Sequence, residues 1–149
     1  MKKVFLISVF LGLAVSYGYS QTYYYKAVAD IDANGAKSKP ASYKSGYITF
    51  SNNKDNLYIS DKNGYRKSEM FGCKTTYFFR KTQDGTHIYQ CYIECGSVGS
   101  FKDMFYYFSS DFSKSQWFSK GDSNFPEHRT EYIRTNGPED DYDDDIPTF

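Results

Sequence analysis

The chain has 149 residues, and its 18 Lys and Arg offset its 18 Asp and Glu, so no global charge recruits nucleic acid or a membrane surface. Aromatic residues make up 20% of the chain, as 16 Tyr, 13 Phe and one Trp, and 24% of residues are charged. These proportions exclude both a disordered chain and a polytopic membrane protein, and the length is that of one small domain.

Lys2 and Lys3 precede an apolar run from Val4 to Val15, and the small residues Gly18 and Ser20 lie just before Gln21. Residues 1–20 therefore read as a secretory signal peptide, because a membrane span needs about 20 apolar residues and this run is far shorter. No cysteine precedes Cys73, so nothing near the cleavage point accepts a lipid. The expected product is exported to the periplasm, the cell surface or the medium, with no membrane span after signal removal.

Residues 21–138 read as one β-domain. Runs rich in Tyr, Phe, Ile and Thr are separated by turn sequences at 52–55, Asn63-Gly64, Asp84-Gly85 and Lys120-Gly121-Asp122, and no segment keeps a helical period. The pattern predicts strands at 22–29, 45–51, 56–60, 65–70, 74–82, 86–95, 102–108, 115–119 and 129–134. Such even spacing points to an all-β fold, a single antiparallel meander closed as a small barrel or folded as a sandwich.

The segment 30–44, dominated by Asp, Asn, Gly, Ser and Pro, is expected to be a long surface loop. Its Asp30, Asp32 and Asn34, followed by Gly35, reproduce the opening of a calcium loop. The match then fails, with Ala41 where the bidentate Glu belongs, so an EF-hand is rejected; an Asx-rich turn is the plainer reading, and a β-associated calcium loop on Asp30, Asp32 and Asn34 is the weaker alternative.

Two hairpins can be registered from their side chains. Ile48 and Phe50 meet Ile59 and Leu57 across the 52–55 turn, apolar face to apolar face. In 74–82 and 86–95 the odd residues Thr75, Tyr77, Phe79 and Tyr89, Cys91, Ile93 form the core faces. A two-residue turn at Asp84-Gly85 would set odd against even and put these faces on opposite sides of the sheet. A three-residue loop, Gln83-Asp84-Gly85 with a G1 bulge at Gly85, matches odd to odd and is the expected arrangement.

That register places Cys73 opposite Cys95 at a non-hydrogen-bonded pair, where Cα atoms approach to about 4.5 Å. Cys91 and Cys95 share a strand about 13 Å apart, too far to bridge. A Cys73–Cys95 disulfide is therefore expected, with Cys91 a buried thiol. Cys-x-x-Cys is absent, and no metal or other cofactor is implied.

The C-terminal strands are aromatic on both faces, as in Phe105-Tyr106-Tyr107-Phe108. The acids Glu139, Asp140, Asp141, Asp143, Asp144 and Asp145 then crowd the end of the chain, and 139–149 reads as a solvated, disordered tail.

Catalytic signatures are sparse. His87 is placed beside a hairpin tip, opposite Lys81, and His128 in a loop, both as structural or surface residues; nothing in the sequence brings Glu94 and Glu131 together as a carboxylate pair. The expected role is that of an exported, non-catalytic binding domain. Its ligand would be a carbohydrate or small apolar molecule held by aromatics, with Tyr106, Phe108 and Trp117 as contacts. The alternative is a protein-interaction or cell-surface structural module that uses an aromatic patch or an edge strand such as 22–29, with hydrolase activity third.

Overall fold

The computed structural model describes residues 20–41, 44–51, 53–60 and 72–137. The expected signal peptide up to residue 19, the Asn63-Gly64 turn, the strand at 65–70 and the acidic tail at 139–149 lie outside the described residues. Among the described residues nine strands follow in order: β1 (Gln21–Asp32), β2 (Lys37–Ser38), β3 (Gly46–Phe50), β4 (Asn56–Ser60), β5 (Lys74–Gln83), β6 (Thr86–Cys95), β7 (Val98–Phe108), β8 (Lys114–Ser119) and β9 (His128–Thr135).

Every strand pair is antiparallel. From β3 to β9 each strand pairs with the next, β3 also pairs with β1, and β9 returns to β1 along Tyr24–Asp32. The fold is thus a closed eight-strand barrel with β2 as one extra strand. Closure flanks β1 on both sides over most of its length: Gln21–Tyr25 bonds to β3, Tyr24–Asp32 bonds to β9, Asp30 and Ile31 also pair with β2, and the Ala27 N–H donates to the Ser45 hydroxyl. The expectation of an exposed edge strand at 22–29 is corrected accordingly, because β1 lies within the closed sheet, paired to β3 through its first residues and to β9 from Tyr24 onward.

The long loop expected at 30–44 is also shorter. β1 continues to Asp32, whose Oδ1 accepts the backbone N–H groups of Asn34 at 2.8 Å and Ala36 at 2.9 Å. That Asx turn folds the chain back at once, so Lys37 and Ser38 pair with Ile31 and Asp30 as β2.

An eight-strand barrel is just wide enough for side chains to fill it, and here they do. Tyr25, Ile48, Phe50, Leu57, Tyr77, Tyr89, Cys91, Tyr106, Phe108 and Tyr132 form one buried cluster. Alternation along each strand supplies it, odd residues on β5 and β6 and even residues on β7 and β9.

Both expected registers are present in the core. Ile48 pairs with Ile59 and Phe50 with Leu57; Thr75, Tyr77 and Phe79 pair with Ile93, Cys91 and Tyr89. The second hairpin reaches this register by a different device. Its turn is the two-residue Asp84-Gly85, both with positive φ (49° and 76°), and Gln83 pairs with Thr86. The extra residue sits inside β5 instead, as a bulge at Arg80 between the pairs Phe79–Tyr89 and Lys81–Ile88. The two-residue turn suits the right-handed strand twist, and the bulge restores the parity it would otherwise invert. His87 accordingly faces Thr82, not Lys81.

One end of the barrel is sealed by Phe112. Its ring lies 5.2 Å from Phe50 and 5.6 Å from Phe108, His87 stacks on it at 4.8 Å, and Lys54 Nζ stands 4.3 Å from its centroid. Its backbone has φ of 58°, held from two sides. The Tyr25 hydroxyl donates to the Phe112 carbonyl at 2.8 Å, and the Asp111 carboxylate accepts from the Ser109 hydroxyl and from the Ser113 N–H and hydroxyl. Those bonds hold the Asp111 carboxyl well below the usual carboxylate range. Burial pushes the Tyr25 hydroxyl far above its ordinary value and that of Tyr89, which donates to the Lys54 carbonyl at 2.9 Å, up to about 12. Both remain neutral donors.

Candidate functional site

The opposite end differs. There the inward side chains of Ile59, Ile93, Met104 and Trp117 pack against the core but remain only partly buried. Each comes from a different strand, β4, β6, β7 and β8, and together they line this end of the barrel, its mouth. Behind them the Trp117 indole N–H donates to the Tyr77 hydroxyl at 3.0 Å, and the Tyr77 ring meets Tyr106 edge-on at 4.9 Å.

A polar group completes the mouth on the β1–β9 side. Val28 is an extra residue between the pairs Ala27–Tyr132 and Ala29–Glu131, so the inward face of β1 changes from odd to even residues. Asp30 is thereby turned inward beside its strand partner Thr130, whose hydroxyl donates to Asp30 Oδ1 at 2.6 Å. Lys44, in the turn before β3, donates to Asp30 Oδ2 at 2.7 Å and lies 3.1 Å from His128 Nε2. His128 Nε2 is also 3.3 Å from Asp30 Oδ1, and the imidazole lies 6.0 Å from the Trp117 ring. Burial opposes the Asp30 charge, yet the hydrogen bonds from Lys44 and Thr130, with the charges of Lys44 and His128, hold its carboxyl below the usual range.

Of the three aromatics expected to touch ligand, Trp117 alone reaches this mouth. Tyr106 (4% exposed) and Phe108 (0% exposed) lie in the packed interior. The three oxygens of the calcium-like pattern do not converge, since Asp30 faces Lys44 inside the barrel while Asp32 caps its own turn. Among the described residues no group of three or more His, Cys, Asp or Glu is placed to hold a metal ion. His128 is not in a loop but opens β9, and Glu94 and Glu131 stand on β6 and β9 with two strands between them.

Lys44 at the mouth, and Thr130 and Tyr77 buried behind it, were not read from the sequence as parts of this site. Only the inward parity of Tyr77 was legible; Lys44 and Thr130 arrive through the Val28 bulge and barrel closure, which no local pattern announces.

The outer wall carries its own rings. Phe78, Tyr92 and Phe101 cluster at 5.1 to 6.1 Å with Arg80 5.0 Å from Phe101, and Tyr92 lies across Gly99, where any Cβ would collide with it. Phe105, Tyr107 and Phe118 form a second group, with Arg129 5.1 Å from Phe118. Beside Tyr107 a groove of about 490 Å³ runs over β7, β8, β9 and the bulge of β1.

Among the described residues no helix is long and apolar enough to cross a membrane. Comparison with protein-family models, with curated proteins and with solved structures finds no match to this chain.

Proposed function

We propose that this chain is an exported, non-catalytic binding domain whose barrel mouth takes a small amphipathic molecule. The observation that carries the reading is the asymmetry of the two ends. Phe112 seals one, whereas at the other partly buried apolar side chains surround an indole and lie beside an ion pair whose side chains are only 20% and 13% exposed. An apolar body would pack on Trp117, Ile93 and Met104, and a polar head would exchange hydrogen bonds with Lys44 and His128. Export is supported by the signal-like start of the sequence and by the Cys73–Cys95 bridge, which persists in an oxidising compartment.

Trp117 is the only tryptophan of the chain, so its fluorescence reports on the mouth alone. Titration with decanoate should shift and saturate that signal, and Ile93→Asp should weaken binding by about tenfold, the worth of one well-buried aliphatic contact. An unchanged Trp117 spectrum at millimolar decanoate, together with unchanged mouth amides in an NMR titration, would refute the reading.

A second reading, attachment to a protein partner through the outer wall, is favoured by one observation. Phe101 is 46% exposed and shares the wall with Phe78, Tyr92 and Arg80, a ring-and-arginine composition typical of interface anchors. Loss of a co-purifying partner on Phe101→Ser, with decanoate binding retained, would favour it over the first.

A further inference from the structure

We infer that the groove on the outer wall is a second binding site, separate from the mouth, and that it takes the ring of a neutral saccharide. A barrel wall is convex, and an open recess of about 490 Å³ in it lies where β1 carries its bulge at Val28. Bulges recur beside binding sites because they re-aim side chains.

The lining has two kinds of surface. Val28 and Ile133, 42% and 41% exposed, and the ring of Tyr107 supply apolar area. Gln116, Lys114 and Glu131 supply an amide, an ammonium and a carboxylate among them. A wholly apolar ligand would strip water from those three groups and return no hydrogen bond. A strongly charged ligand would meet both signs, because the Glu131 carboxylate is matched by Lys37 at 3.0 Å. A pyranose ring fits the pattern, with a C–H face for Tyr107 and hydroxyls for the amide and the ionic groups. The aromatic surface continues from Tyr107 to Phe118 at 6.4 Å, which gives a second sugar of an oligosaccharide a ring to stack on.

The test is an NMR titration of the full oxidised chain with the methyl pyranosides of glucose, galactose, mannose and N-acetylglucosamine, each to 100 mM. At least one should shift the amides of Tyr107, Gln116, Glu131 and Ile133 in a saturable way, and its disaccharide should bind more tightly. Tyr107→Ala should weaken that binding about tenfold, Tyr107→Phe should leave it near wild type, and Ile93→Asp in the mouth should not alter it. No groove shift with any of the four sugars, or shifts that persist unchanged in Tyr107→Ala, would overturn the inference. Decanoate binding at the mouth is read by Trp117 fluorescence, so either site can fail without the other.

Discussion

Asp30 and Thr130 face each other across the β1–β9 seam, and the Thr130 hydroxyl donates a 2.6 Å hydrogen bond to the Asp30 carboxylate. This seam joins the first strand of the barrel to the last, 100 residues apart in sequence. Lys44 binds the other carboxylate oxygen, so a single acid ties β9, β1 and the turn leading into β3. Thr130 is 1% exposed, so its hydroxyl has no water to turn to. Thr130→Val should therefore lower stability by about 1.5–3 kcal/mol, the loss expected for a hydrogen bond to a charged group. Urea melts at neutral pH measure it, and a value near zero would mean that Lys44 and His128 hold Asp30 without the threonine.

The same acid gives a pH dependence whose sign is fixed. Its folded pKa lies below the unfolded value of about 3.9, so the ionised form binds the fold more tightly and its contribution is fully present above pH 4. That contribution fades as pH falls through the lowered folded pKa. Asp30→Asn should thus be less stable than wild type at pH 7, and the gap should narrow steadily below pH 4. Comparing the two proteins at each pH cancels the other carboxylates, Asp111 among them. A gap that is constant down to pH 2 would show that Asp30 acts through shape and not charge.

At the sealed end, Tyr25 is 3% exposed and its hydroxyl donates to the carbonyl of Phe112, the residue that plugs the barrel. Tyr25→Phe keeps the ring and leaves that carbonyl without the donor. A cost of about 1–2 kcal/mol is expected, read from denaturant midpoints. Hydrogen exchange should rise first in the 109–113 turn, because Phe112 holds a φ of 58° that its neighbours enforce.

Arg80 is the surplus residue of β5, so deleting it should remove the bulge and leave Phe79 opposite Tyr89 and Cys73 opposite Cys95. Deleting Thr76, which has a partner in Tyr92, should instead turn the lower half of the strand inside out. Peptide mapping separates the two, with the native bridge retained in the first variant and lost in the second.

The Arg80 case shows what was legible in the sequence. Side-chain alternation required one residue more on β5 than a two-residue turn allows, and that count was correct. Where the surplus sits was not legible, because a bulge and a longer loop satisfy the same parity and twist chooses between them. The second bulge, at Val28, left no such trace, since Ala27, Val28 and Ala29 are all small or apolar and suit either face. Asp30 therefore read as a loop residue, and the mouth it helps to build was hidden. Trp117 and His128 were visible as single residues, but barrel closure, which alone brings them to Lys44, is a relationship between the chain's ends.

The Cys73–Cys95 bridge joins register, chemistry and compartment in one test. The two cysteines stand opposite each other one step beyond the pair Lys74–Glu94, with Cα atoms 4.4 Å apart and a sequence separation of 22. Closing a loop of that length restricts the unfolded chain, so Cys73→Ser should cost about 3 kcal/mol in denaturant melts. Cys91, 0% exposed and not bridged, behaves as a small apolar group, and Cys91→Ala should cost only about 1 kcal/mol. Cys95 is exposed, so a small thiol should reduce the bridge in the folded protein, whereas Cys91 should resist alkylation until the barrel unfolds. Non-reducing peptide maps of the oxidised protein should link 73 to 95. A link from 73 to 91 would require β5 and β6 to slip by four residues, and every inward pair from Thr75 to Tyr89 would then be wrong.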